Sequence, residues 1–196
     1  RALLIIHMQN SFLHSEGSLA TAGLDMQRMT NAIEPIRQLK EAFKVENRPV
    51  IYVQHIHDDR EENTRLMAKV FPPIMNVEHC MEGSWDSQII DELAPQDDDF
   101  IIKKHRFSAF YKSGLTQLLE ELRIENLVVT GVATNMCVDA TIKDAFYRDL
   151  NVFVPEEATA SFTSELEQSA FKNFNFAFAR VLKVKEVLYE MLMLVI

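Results

Sequence analysis

The chain is poor in cysteine, with Cys80 and Cys137 as its two thiols. Two are too few for a disulfide scaffold and no metal-type Cys pair is present, so a reducing cytoplasm is the expected setting. Basic residues are also in deficit: 20 Lys and Arg stand against 29 Asp and Glu, a formal net charge of −9. Nucleic acid and anionic membrane surfaces are recognised through basic patches, so neither partner is expected. The charge does not restrict a small substrate, because a few local residues can reverse the field inside a cleft. No apolar run approaches the ~20 residues of a membrane span. The opening run Ala2–Ile6 is apolar but is broken at once by His7, Gln9 and Asn10, so no secretory signal is expected there. Because the chain opens directly in this run, a few preceding residues are expected. Repeats, linkers and low-complexity segments are lacking as well. A length of 196 residues suits one core, and one domain over residues 1–196 is expected.

Hydrophobic residues make up 47% and charged residues 25% of the chain, the balance of an ordinary globular protein. Short β-type runs alternate with helical stretches. Strands are expected at 2–6, 49–53, 99–102, 127–130, 151–154 and 178–182. Continuous apolar runs such as Ala2–Ile6 are those of strands buried on both faces. Helical spacing covers 25–44, through Met26, Met29, Ile33, Ile36, Leu39 and Phe43. Further helices are expected at 87–93, 115–122, 140–148, 163–174 (with Thr163 or Ser164 as N-cap) and 183–192. The alternation implies right-handed βαβ units and a three-layer α/β/α sandwich around a mainly parallel six-stranded sheet. Ligands of such sheets bind beyond the carboxyl ends of the strands, where strand order reverses. That rule selects His7, His55, His57, Lys104 and the stretch from Thr134 to Cys137.

Three segments carry residues suited to chemistry. In Gly131-Val132-Ala133-Thr134-Asn135-Met136-Cys137, a cysteine follows a buried strand and opens a helix. The positive end of the helix dipole and free backbone N–H groups favour the nucleophilic thiolate and can stabilise an oxyanion. A free cysteine is also commonly a small buried hydrophobe. In Ile101-Ile102-Lys103-Lys104, a lysine at a strand end can pair with a thiolate, or can be a surface charge. In Ile5-Ile6-His7-Met8-Gln9-Asn10, His7 ends the first strand, and Gln9 and Asn10 suit a turn equally well.

Together these segments resemble the isochorismatase-like cysteine hydrolases: nicotinamidases, N-carbamoylsarcosine and ureidoacrylate amidohydrolases, and relatives. The resemblance runs over nearly the whole chain, through Met8-Gln9-Asn10, Glu82-Gly83-Ser84-Trp85-Asp86, Lys104-His105-Arg106-Phe107-Ser108-Ala109-Phe110 and the block from Gly131 to Thr141. The stretch from Gly83 to Pro95 looks nearest to ureidoacrylate-type members. The resemblance implies Cys137 as nucleophile, Lys104 as its charged partner, and the N–H groups of Ala133 and Cys137 as an oxyanion hole. It also implies a cis peptide between Val132 and Ala133, and an acyl- or carbamoyl-enzyme that water hydrolyses. Pocket residues would be Phe12, Trp85, Phe107 and Phe110, with Gln9 and Asn135 as hydrogen-bonders. Apolar walls with a few polar groups suit a small flat amide. A homodimer or homotetramer is expected, with residues 188–196 at an interface.

The family's aspartate follows the first strand, and here that position is His7. Three readings follow. His7 replaces the carboxylate as base, since neutral imidazole can take and return the thiol proton; or the chain binds a ligand without turnover; or it runs an altered reaction, such as ether hydrolysis of an isochorismate type. Members with that last activity lack this cysteine, so Cys137 favours C–N cleavage. No cofactor is expected; the alternative is zinc. Some nicotinamidases hold zinc with an Asp-x-His pair and a further His, where this chain has Gln54-His55-Ile56-His57-Asp58. His55 and His57 are two apart on a strand and point the same way. His79 and Asp58 are the candidates for a third ligand, and the histidines would otherwise line the cleft.

Overall fold

The computed structural model describes residues 1–57, 69–72 and 79–193, with side chains through residue 190. A wholly parallel sheet forms its centre. Strands β1 (Ala2–Ile6), β2 (Val50–His55), β3 (Phe100–Lys104), β4 (Asn126–Val132), β5 (Asn151–Pro155) and β7 (Arg180–Leu182) lie in the order β3-β2-β1-β4-β5-β7. A seventh strand, β6 (Thr159–Ala160), pairs with the end of β4 through Gly131↔Thr159 and Val132↔Ala160. The sequence pattern implies six strands; a two-residue strand is too short to show a period. Strand order reverses at β1, which pairs with β2 on one side and β4 on the other. The carboxyl end of β1 therefore sits at the switch point of the sheet.

Side chains of successive strand residues point to opposite faces, and the core divides accordingly. Leu3, Ile5, Val50, Tyr52, Val128 and Phe153 face one layer, with Ile36, Leu39 and Phe43 of α3 (Ile33–Val45) and Val184 and Val187 of α7 (Val184–Met193). Ala2, Leu4, Ile6, Ile51, Leu127 and Val129 face the other. There they meet α4 (Leu115–Glu121), α5 (Asp139–Phe146) and α6 (Ser164–Asn173) through Leu119, Ile142 and Phe171. Two short helices, α1 (Asn10–Leu13) and α2 (Ser18–Thr21), follow β1 directly. Gly131 adopts φ +108°, and a Cβ there would lie 2.0 Å from the carbonyl oxygen of Ile6, so only glycine lets β4 approach β1 this closely.

Three elements depart from the sequence pattern. The helix expected over 25–44 is a 3-10 turn at Gln27–Ala32 followed by α3. Pro35 explains the break, because it has no N–H to give the carbonyl of Asn31 and is tolerated only in a first turn. The helix expected over 87–93 is two single turns, Trp85–Ser87 and Asp91–Leu93. Between them the chain docks on the end of β1: Asn10 N–H donates to Gln88 O (2.9 Å) and Ile90 N–H to Met8 O (3.0 Å). The helix after β4 begins with a π-turn, Thr134–Val138, before α5. Thr163 is the N-cap of α6, accepting from Leu166 N–H at 3.2 Å. Of the stretch expected at a subunit interface, Leu188 packs against the chain's own core, and side chains from residue 191 lie outside the described residues. Among the described residues no helix is long and apolar enough to cross a membrane.

Candidate active site

The switch point opens into a small cavity. His7, Phe12, Phe107, Ala133 and Cys137 line it, together with His55 and His79. Its walls are largely apolar, and none of its lining residues among those described is a carboxylate.

Cys137 lies in the π-turn that carries the chain from β4 into α5 and is 6% exposed. The peptide between Val132 and Ala133 is cis. Lys104, the last residue of β3, is fully buried; its amine donates to the carbonyl of Arg106 and lies close enough to Cys137 for each to shift the other's protonation. Burial pushes the Cys137 thiol up, and Lys104 opposes that shift. Burial likewise pushes the lysine down, against the pull of Cys137. Both shifts favour the neutral pair, as expected where two charges leave water. The depression of the thiol expected from a helix N-terminus is thus outweighed by desolvation in the resting site.

His7 turns the chain at the end of β1 in a left-handed conformation (φ 55°) and is 1% exposed. Neither ring nitrogen has a hydrogen-bond partner among the described residues. Its ring lies 4.6 Å from that of Phe12 and 5.5 Å from that of His55. Burial first, and then the positive field of Lys104, hold its protonation well below the ordinary histidine range. His7 is therefore a neutral imidazole in a largely apolar pocket.

Four expected pocket residues lie elsewhere. Gln9 is wholly buried: its Nε2 donates to His55 O (3.0 Å) and Ser87 O (2.8 Å), and its Oε1 accepts from His55 N–H (2.8 Å). These bonds tie the end of β2 to the 85–90 segment. Trp85 is 44% exposed and stacks edge-on against His14, 4.9 Å away. Phe110 is in the core beneath α4, with the Arg148 guanidinium 4.7 Å over its ring. Asn135 accepts a hydrogen bond from the Ser161 hydroxyl and does not line the cavity. The sequence reading missed Leu19, Phe71, Met136 and Phe162 as wall residues. Phe162 follows the two-residue β6, so the strand-end rule would have found it had β6 been visible.

His79 joins His55 and His57, and one ring nitrogen of each lies within 4.8 Å of those of the other two. Asp58 is outside the described residues. All three histidines are buried, and both nitrogens of His55 are without a partner among the described residues. Burial lowers the protonation of His55 well below the ordinary value and that of His79 to about 4, leaving neutral imidazole, the ligand form. The donor set fits a zinc-type ion.

The fold is thus a doubly wound parallel sheet with helices on both faces, and Cys137 and Lys104 lie at its switch point. The Isochorismatase domain family matches residues 1–186, and the chain belongs to that family. Two ureidoacrylate amidohydrolases, both RutB, are similar. That of Klebsiella pneumoniae subsp. pneumoniae is 31% identical over 170 residues, 81% of this chain and 72% of the relative. That of Stutzerimonas stutzeri is 32% identical over 182 residues, 86% and 73% of the two chains. Among solved structures, N-carbamoylsarcosine amidase from Thermoplasma acidophilum aligns with TM-score 0.76 and 27% identity, covering 93% of this chain and 95% of that one. An isochorismatase-like hydrolase from Alkaliphilus metalliredigens aligns with TM-score 0.81 and 27% identity, covering 96% and 97%. Relatives in this family are hydrolases that act on C–N bonds.

Proposed function

We propose that this chain hydrolyses a C–N bond of a small amide, ureide or carbamoyl compound through a thioester on Cys137. The observation that carries the reading is the buried Cys137 thiol at the wall of an apolar cavity, with the buried Lys104 amine near enough to oppose its desolvation. His7 takes the thiol proton on a ring nitrogen while the sulfur attacks the substrate carbonyl carbon. The oxyanion accepts from the backbone N–H groups of Ala133 and Cys137, and Lys104 stabilises the developing negative charge. Collapse breaks the C–N bond, and the leaving amine takes the proton from His7. Water then attacks the thioester, giving its proton to His7 on the way in, and Cys137 recovers a proton as the acid leaves. Phe12 and Phe107 give the substrate flat apolar walls. If zinc is bound, His55, His57 and His79 would hold it, and it would supply Lewis-acid polarisation to a substrate oxygen.

The test is amine or ammonia release from a panel of ureides, N-carbamoyl amino acids and aromatic amides, with Cys137→Ser as control. Release from at least one compound, lost in Cys137→Ser, supports the proposal. A second reading, a ligand binder without turnover, is favoured by the unpartnered nitrogens of His7. It predicts that a panel compound protects the chain against thermal unfolding while none is cleaved.

A further inference from the structure

A hydrogen-bond chain behind the cavity is not used by the proposed reaction. Asp86 is buried, 7% exposed, with both carboxylate oxygens occupied. Its Oδ1 accepts from Ser18 N–H (2.7 Å), and its Oδ2 accepts from the Ser18 hydroxyl (2.8 Å) and Cys80 N–H (2.7 Å). Ser18 Oγ and Ser11 Oγ each lie 2.9 Å from His79 Nδ1, and they lie 2.8 Å from each other.

Counting protons decides how this network is wired. A carboxylate has none to give, so the contact between Ser18 and Asp86 uses the Ser18 hydroxyl proton. The contact between Ser11 and Ser18 then uses the Ser11 proton. Two contacts remain, both to His79 Nδ1, and a single shared proton on that nitrogen satisfies both. With Nδ1 bare, two of the four contacts would set lone pair against lone pair.

We infer that Asp86 is a positioning residue: through Ser18 and Ser11 it fixes His79 as the Nδ1–H tautomer, leaving the Nε2 lone pair to join His55 and His57 in binding a divalent cation of the zinc type. A second observation points to a ligand independently of this wiring. His55, 3% exposed, faces the same cluster with both nitrogens unpartnered among the described residues. A carboxylate that orients an imidazole ligand from behind is a recurring part of metal sites and affects affinity by about 10–100-fold. Here the carboxylate acts one step removed, through a serine hydroxyl.

Two measurements test this in a Cys137→Ser background, so that the result is independent of the thioester reading. The first is the ¹⁵N–¹H spectrum of the metal-free chain, with His79 assigned by His79→Gln. The inference predicts a pyrrole-type Nδ1 and a pyridine-type Nε2; the opposite assignment overturns it. The second is calorimetric titration with zinc chloride. One zinc per chain is expected, lost in His55→Ala and weakened about 10–100-fold in Asp86→Asn, whose amide would donate to Ser18 and reverse the relay. Ser18→Ala keeps both backbone N–H bonds to Asp86, removes only the relay, and decides the matter if Asp86→Asn does not fold. Absence of zinc uptake, or undiminished affinity in the relay variants, overturns the inference.

Discussion

The imidazole of His7 lies against the ring of Phe12, centroids 4.6 Å apart and planes tilted by 33°. At the position where relatives are expected to carry a carboxylate, this chain therefore presents a neutral aromatic base. The buried amine of Lys104 donates to the Arg106 carbonyl and acts electrostatically on Cys137, with no carboxylate among the described residues that line the cavity. The proposed chemistry differs from that of an ion-paired triad mainly in this respect.

If His7 moves the proton, its removal costs what general-base catalysis usually supplies. His7→Ala is expected to lower kcat by about 10²–10⁴-fold in the amine-release assay. His7→Asp is expected to retain turnover with a shifted pH–rate profile. Turnover appearing only in His7→Asp would identify the wild-type chain as silent.

The thiol should titrate higher than an ordinary cysteine, because burial outweighs Lys104. Replacing Lys104 by Met removes the amine whose protonated form stabilises the thiolate against burial, so the Cys137 pKa should rise further. Alkylation rate against pH, with Cys137→Ser subtracting Cys80, reads both values. A thiol that becomes more reactive at low pH in Lys104→Met would refute the assigned role of the lysine.

Gln9 ties the end of β2 to the 85–90 segment. Gln9→Ala leaves the buried His55 N–H and the carbonyls of His55 and Ser87 without this partner. A loss of roughly 2–4 kcal/mol in urea unfolding is expected, with KM little changed in the surviving folded fraction. A raised KM at unchanged stability would return Gln9 to the pocket.

Acid should destabilise the metal-free chain. His7, His55 and His79 are all held below the ordinary 6.5 in the folded state. The unfolded chain therefore takes up protons that the folded chain refuses. This stabilisation is complete above the unfolded value and is lost as pH falls, down to about 4 for His79. Each histidine contributes a slope approaching ~1.4 kcal/mol per pH unit in that window. The urea midpoint in chelator-treated buffer should fall steeply below pH 6.5, and His7→Leu should flatten the fall. A midpoint independent of pH in that window would show that these imidazoles are not held neutral.

Much of the fold was legible because doubly buried parallel strands read as unbroken apolar runs, as in Ala2–Ile6 and Leu127 to Val129. The strand-end rule then selected His7, Lys104 and Cys137, and the structure places His7 and Cys137 in the cavity wall with the buried Lys104 amine acting electrostatically on both. What was not legible depends on side-chain direction or distant sequence. Trp85, Phe110 and Asn135 sit near site motifs but point to solvent-side, core and loop partners. Phe71 and Phe162 pack 6.3 Å apart at the cavity although 91 positions separate them in sequence (162 − 71), and no local pattern encodes that contact. The helix over 25–44 was overcalled because its apolar spacing continues through a 3-10 turn that Pro35 prevents from becoming α-helix.

The most direct test of the central claim is mass spectrometry of the chain quenched in acid during turnover of any panel compound that releases amine. The account predicts an acyl or carbamoyl mass increment on the peptide containing Cys137, formed with the first equivalent of amine and absent in Cys137→Ser, whose turnover falls by roughly 10³-fold or more. Undiminished amine release by Cys137→Ser would contradict it.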